Sequence, residues 1–150
     1  MRALIQRVTR ASVVIEGRIV GEIAAGLLVL VGVETGDTAA DADWLAAKVV
    51  SLRILADDSG KMNRSVRETG GGVLVISQFT LHADTAKGNR PSFLQAARPE
   101  EAIPLYERFV AVLEADLGRP VPRGVFGADM QVSLVNNGPV TIPIDSRRRE

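Results

Sequence analysis

The sequence predicts an α+β fold: a mainly antiparallel, barrel-like β-sheet carrying two main helices. Three observations predict it. Strand-like alternation dominates the 150 residues, beginning with Arg2–Ile15 and returning in Asp129–Val135. The first strand signals are joined by short turn signals such as Glu16-Gly17, which favour hairpins between neighbours. Helical spacing of apolar residues appears over long stretches only twice, at Ala42, Leu45, Val49, Leu52 and at Tyr106, Phe109, Val110, Leu113, Leu117.

The elements follow in order. Arg2 to Ile15 reads as strand, with Leu4 and Val13 among its β-formers, and Glu16-Gly17 turns it into a second strand, Arg18 to Ile23. Gly26 opens the apolar strand Leu27 to Val33. Thr35-Gly36-Asp37-Thr38 then changes the period, and Asp37 or Thr38 supplies the N-cap of the first helix. A short strand, Arg53 to Ala56, runs into the turn Asp57-Asp58-Ser59-Gly60, and Gly70-Gly71-Gly72 precedes a buried strand, Val73 to Phe79. Leu81 to Ala97 is irregular. The second helix spans Pro99 to Asp116, although Pro104 interrupts a helical bond and moves the expected start toward Ile103. Val125 to Val135 and Val140 to Ile144 supply the last strands, Gly138-Pro139 marks the turn between them, and Ser146 to Glu150 reads as a frayed tail.

Composition narrows the function. A chain of 150 residues is expected to form one domain, burying roughly 70% of its unfolded surface. Hydrophobic residues at 46% and charged residues at 24% are the balance of a soluble globule, and no apolar run reaches the ~18 residues of a membrane span. The N-terminal stretch lacks the apolar core of a signal peptide. With no cysteine there is neither disulfide nor thiol chemistry, and the cytoplasm is the expected compartment. The formal net charge is zero, so contact with nucleic acid has to use a local basic patch.

Side-chain catalysis has few candidates. His82 is the one histidine, which excludes a His-rich metal site and reads as a packing or surface residue. There is no G-x-S-x-G elbow and no P-loop. Asp57 and Asp58 read as a solvated turn, while Asp84 and Asp129 lack the spacing of an acid/base pair. Ser77-Gln78-Phe79-Thr80 leaves a strand end, where backbone N–H groups become free to face a ligand. Ser77 and Thr80 also read as ordinary strand polar residues opposite Ile76 and Phe79. Gly138-Pro139 alone reads equally as a plain turn.

Taken together, Ser77-Gln78-Phe79-Thr80-Leu81 and Asn136-Asn137-Gly138-Pro139-Val140-Thr141 resemble the signatures of the D-aminoacyl-tRNA deacylases. The resemblance extends over nearly the whole chain. It includes Met1-Arg2-Ala3-Leu4-Ile5-Gln6-Arg7-Val8, Gly60-Lys61-Met62-Asn63, Arg90-Pro91-Ser92-Phe93, Pro104-Leu105-Tyr106-Glu107-Arg108-Phe109 and Phe126-Gly127-Ala128-Asp129-Met130. Two positions depart from it: His82 stands where the family usually has Tyr, and Asn137 where Asp is common.

The resemblance implies hydrolysis of the ester of D-aminoacyl-tRNA, a chiral proofreading reaction of translation, without metal or organic cofactor. Ser77, Gln78, Phe79 and Thr80 are expected to shape the ester site, with Thr80 orienting water or the substrate amine. It further implies a homodimer in which a cis Gly138-Pro139 step enters the partner's site and excludes L-amino acids, though not glycine. An activated ester needs positioning and oxyanion stabilisation more than a strong base, and preorganised N–H donors supply that at ~2.7–4 kcal/mol each. Phe79, Phe126 and Met130 are candidates to hold the 3′-terminal adenosine, with core packing the competing role for Phe126. Lys87, Arg90 and Arg98 either meet acceptor-stem phosphates or form a solvated basic loop. No membrane or DNA partner is expected. Two other readings stand beside this one: a dimeric module that binds a nucleotide or RNA end without turnover, and a small-molecule esterase centred on Thr80 or Ser77.

Overall fold

A computed structural model describes residues 1–149, and its organising element is the long first strand. β1 (Arg2–Ile15) carries three partners. Along one edge, β3 (Gly26–Gly32) pairs with Arg2–Val8 and β2 (Arg18–Ile23) with Ala11–Ile15. Along the other edge runs β7 (Gln131–Asp145), from Arg2↔Asp145 to Val14↔Gln131. The β1–β2 turn places Glu16 at φ 49° and Gly17 at φ 76°, the paired positive angles that match the strand twist. β6 (Gly72–Ser77) lies parallel to β3, while the other strand pairs of that sheet among the described residues are antiparallel. A separate two-stranded sheet joins β4 (Leu55–Ala56) to β5 (Met62–Arg64).

Two apolar clusters cover the two faces. On one face α1 (Ala39–Ser51) and α3 (Pro99–Leu117) bury Leu45, Val49, Phe109 and Leu113 against Ile5, Val29 and Val75. On the other, the curled sheet closes over Val13, Leu28, Leu74 and Ile76, with Met130, Val132 and Leu134 at its margin. β6 contributes to both, which accounts for its unbroken apolar run. α2 (Val66–Thr69) is a single turn with a capping box, Ser65 N–H donating to Glu68 Oε2 at 2.6 Å. Among the described residues no helix is long and apolar enough to cross a membrane.

The α+β class and both main helices agree with expectation; several local boundaries do not. Thr38, not Asp37, caps α1, and its N–H donates to Asp41 Oδ2 at 2.9 Å. The second helix starts at Pro99 rather than near Ile103. Pro104 sits on its exposed side, where water can meet the carbonyl that loses its donor. The strand expected from Arg53 begins at Leu55, and the one expected to reach Phe79 ends at Ser77. Residues 125–130 are not strand, and the expected turn at Gly138-Pro139 is instead a bulge inside the continuous strand β7. The tail is not frayed at its start: Ser146 is buried, accepts from the Met1 amino group at 2.7 Å and donates to Asp41 Oδ1 at 2.8 Å. Glu150 lies outside the described residues.

Candidate active site

The end of β6 builds the first wall of the site. Gln78 N–H still bonds to Val31 O (2.7 Å), the last rung toward β3. The chain then tightens into a 3-10 turn, Phe79–His82, whose first internal donor is Leu81 N–H to Gln78 O (3.2 Å). Among the described residues no hydrogen bond uses the N–H groups of Phe79 and Thr80, as expected for the opening donors of a turn. Thr80 Oγ1 accepts from Gln78 Nε2, so the two polar side chains brace each other across the turn.

Packing beneath the turn holds it in place. His82 is fully buried, and neither ring nitrogen has a hydrogen-bond partner. Burial pushes its imidazole below the ordinary value, with the Gly32 backbone and Glu34 opposing that shift and Arg2 adding to it. It is therefore the packing residue that the sequence suggested and not a base facing substrate. Gly32 makes the approach possible. A Cβ there would lie 2.7 Å from Gln78 O and 3.0 Å from His82 Cδ2. Arg2 completes the support by donating to Leu81 O at 3.0 Å.

The second wall comes from the segment before β7. Val75 N–H bonds to Pro122 O and Gly124 N–H to Val75 O, both at 3.0 Å, tying residues 122–124 to the open edge of β6. The chain then crosses the end of β6 through Phe126–Met130. The result is a cleft of about 260 Å³ lined by Ser77, Gln78 and Phe79 on one side and Phe126, Asp129 and Met130 on the other. Phe126 also packs on the helical core, its ring 6.0 Å from Tyr106, so core packing is one of its roles. Burial of Tyr106 pushes its phenol up to about 12. Phe79 is 55% exposed and meets Phe93 edge to face at 5.1 Å.

Of the predicted site residues, Ser77, Gln78, Phe79, Phe126 and Met130 converge on this cleft, while Thr80 stands one residue behind its lining. Gly138 and Pro139 do not line it. They are exposed on the β7 bulge, where the Gly138-Pro139 bond is cis. Between Val8↔Asn136 and Gln6↔Thr141, Arg7 alone on β1 faces residues 137–140. Its guanidinium fills the gap, donating to Asn137 O at 2.8 Å and Ile54 O at 2.7 Å. Asn136 clasps the bulge from within: Val140 N–H donates to its Oδ1 (2.7 Å) and its Nδ2 donates to Val140 O (3.2 Å).

The model of the D-Tyr-tRNA(Tyr) deacylase family matches residues 4–145. The chain belongs to that family. It is therefore a hydrolase of ester bonds. Relatives named D-aminoacyl-tRNA deacylase include those of Opitutus terrae, 63% identical over the full length of both chains, and Dechloromonas aromatica, 60% identical over 98% of each. Among solved structures, one described as a c-Myc DNA Unwinding Element Binding Protein superposes with a TM-score of 0.91 at 38% identity, covering 97% of this chain and 98% of that one. A probable eukaryotic D-amino acid tRNA deacylase shares the fold at 16% identity, with a TM-score of 0.78 over 95% of this chain and 98% of that one.

Within this deacylase the sequence pattern left several contributors unseen. Asp129 lacks an acid/base partner in the sequence, yet its side of the cleft is built from its neighbours. Gly32 and Gly124 matter through what a side chain would strike: Gln78 O in one case, and Met130 Sδ at 2.3 Å in the other. Nothing local marks those approaches. For Asp129 the signal is its place inside the family-like run Phe126-Gly127-Ala128-Asp129-Met130. Among the described residues, no group of three acidic or histidine side chains is placed to hold a metal ion.

Proposed function

We propose that this deacylase hydrolyses D-aminoacyl-tRNA, together with glycyl-tRNA mischarged on tRNA(Ala), as a cytoplasmic homodimer of one domain per chain. The observation that carries the reading is the convergence of Ser77, Gln78 and Phe79 with Phe126 and Met130 on one cleft, beside the unused N–H groups of Phe79 and Thr80. Phe79, Phe126 and Met130 offer flat and polarisable surface for the terminal adenosine. The Phe79 and Thr80 donors face the developing oxyanion, and Thr80 orients water or the substrate amine. Water adds to the ester carbonyl, the bond to the ribose oxygen breaks, and that oxygen leaves with a proton from the water, assisted by the neighbouring hydroxyl. No base of the chain is needed as nucleophile activator.

Selection of D over L belongs to Gly138-Pro139 of the partner subunit. At about 260 Å³ the cleft falls just below the roughly 300–1,000 Å³ of a typical ligand pocket, which suits a site completed from outside. The exposed bulge, held by Arg7 and Asn136, is a stiff backbone surface able to complete it. Such a wall beside the α-carbon leaves room for hydrogen and clashes with an L side chain. Glycine has nothing to clash and passes. Lys87, Arg90 and Arg98 are further candidates for contact with acceptor-stem phosphates.

The deciding experiment is hydrolysis of matched D-tyrosyl-, L-tyrosyl- and glycyl-tRNA. Loss of the D and glycyl esters alone supports both the reaction and the gate. Equal loss of D and L removes the gate, and no loss from a folded dimer leaves a binding module. Thr80→Ala separates the small-molecule esterase: a Thr80 nucleophile predicts complete inactivity, and backbone catalysis predicts partial activity.

A further inference from the structure

We propose that a basic groove on the far side of the catalytic turn binds the phosphates of the RNA strand that leads to the ester; this rests on the reading of the chain as a tRNA deacylase. The groove, about 970 Å³, lies between α1 and the paired ends of β1 and β7. Arg2, Lys48, Arg148 and Arg149 line it, against a single carboxylate, Asp145. That carboxylate is already engaged by Arg2 Nε at 3.0 Å and by the N–H groups of Arg147 and Arg148.

Lys48, Arg148 and Arg149 therefore form a local excess of charge in a chain whose net charge is zero. Among the described residues none of the three has a carboxylate within ion-pair distance. Clustered like charges repel, and a site that keeps three together with no paired carboxylate among the described residues is suited to an external anion. Trp44 organises them. Arg149 Cζ lies 4.3 Å and Lys48 Nζ 5.6 Å from its ring centroid, which orders both side chains before any ligand arrives.

The groove's place beside the turn selects RNA from among anions. Leu81, within the turn Phe79–His82, lines the groove, while Ser77–Phe79 line the ester cleft. The turn is the partition between them, and its four residues at about 2 Å rise span roughly 8 Å. An RNA strand with its 3′ end in the cleft crosses that partition within its first few nucleotides. Its lysine and arginines supply the local positive charge that phosphate contacts need.

The test uses uncharged tRNA, whose binding requires no turnover, with affinity measured against salt concentration. Lys48→Ala/Arg148→Ala/Arg149→Ala is expected to weaken binding at least tenfold and to make the slope of log K against log salt shallower by about 2, the value for three lost phosphate contacts. Arg148→Glu alone, which leaves the Trp44 stack intact, is expected to weaken binding by a factor of about three or more. Arg18→Ala, on β2, leaves affinity and slope unchanged. An unaltered slope in the triple variant overturns the proposal, as does an altered oligomeric state with unaltered slope, which assigns the groove to a second copy. If the wild type binds through the groove but cleaves no ester, the groove stands and the deacylase reading falls. If D-ester cleavage is present and the triple variant keeps its slope, the reverse holds.

Discussion

The turn after Ser77 and the bulge at residues 137–140 both interrupt the sheet, and they are held in opposite ways. The turn is supported from below: fully buried His82 fills the hollow over Gly32. The bulge is held from its sides by polar clasps, Arg7 reaching across from β1 and Asn136 bracketing Val140. Close packing tolerates almost no added volume, whereas an exposed clasp can lose one bond and still fold. The lesson is that the region proposed for chemistry is fixed by shape, and the region proposed for selection is fixed by hydrogen bonds.

The largest expected effect attacks the packed side. Gly32→Val places carbon against Gln78 O, where even Cβ would be at 2.7 Å. It is expected to remove most deacylase activity, by about 100-fold or more, and to cost about 1–3 kcal/mol of stability as overpacking does. Denaturant melts alongside D-ester kinetics measure both, and near-normal turnover would show that the turn is not set by its floor.

Next in size is Gly124→Ala, which drives Met130 out of its seat, since the new Cβ would lie 2.3 Å from Sδ. The substrate KM is expected to rise about tenfold, equivalent to 1.4 kcal/mol. Met130→Ala alone is expected to raise KM by a similar factor, and Gly124→Ala added to it changes KM little, because the atom it would displace is gone. Independent, multiplying effects of the two substitutions would place the cause elsewhere.

On the clasped side, Asn136→Ala removes three side-chain bonds, two with the Val140 backbone and one to Thr141 Oγ1, and is expected to cost about 1–2 kcal/mol. The informative readout is the ratio of D- to L-tyrosyl-tRNA cleavage, expected to fall by about tenfold with D cleavage largely kept. A loss of D cleavage with an unchanged ratio would erase the distinction between the two regions.

The smallest effect is on pH dependence. Burial lowers the folded-state pKa of His82 from its ordinary 6.5, so the unfolded chain takes up a proton that the native chain resists. Stability is fully present above about pH 6.5 and declines as pH falls through the lowered folded value. His82→Gln is expected to flatten that decline. Melts at pH 7.5 and 5.5 for both proteins check it, and parallel declines would remove His82 as the cause.

Much of this architecture is legible in residue order, and what is not legible is consistently long-range. Alternation marks both halves of β7, though it starts the first half six residues early at Val125, yet a Gly-Pro step looks the same locally whether a chain turns back or bulges. What decides is that β1 runs past both halves, a fact about a partner far away in sequence. The signatures around Ser77 and Met130 point to two walls of a cleft, but not to the edge pairing of Gly124 with Val75 that brings them together. Charge runs are equally silent. Arg147-Arg148-Arg149 looks like a solvated end until Trp44 and Lys48, on a helix near the other end of the chain, are found beside it.

Among the described residues β7 pairs with β1 alone, which leaves the other edge of a fifteen-residue strand bare. Such an edge is an open template for runaway stacking of strands from chain to chain, the first step toward insoluble fibres. Here the template is faulty. Pro139 and Pro143 supply no N–H, and residues 137–140 throw the ladder out of step near its middle. The irregularity at Gly138-Pro139 thus also keeps a crowded solution of this protein from zipping up along its longest strand.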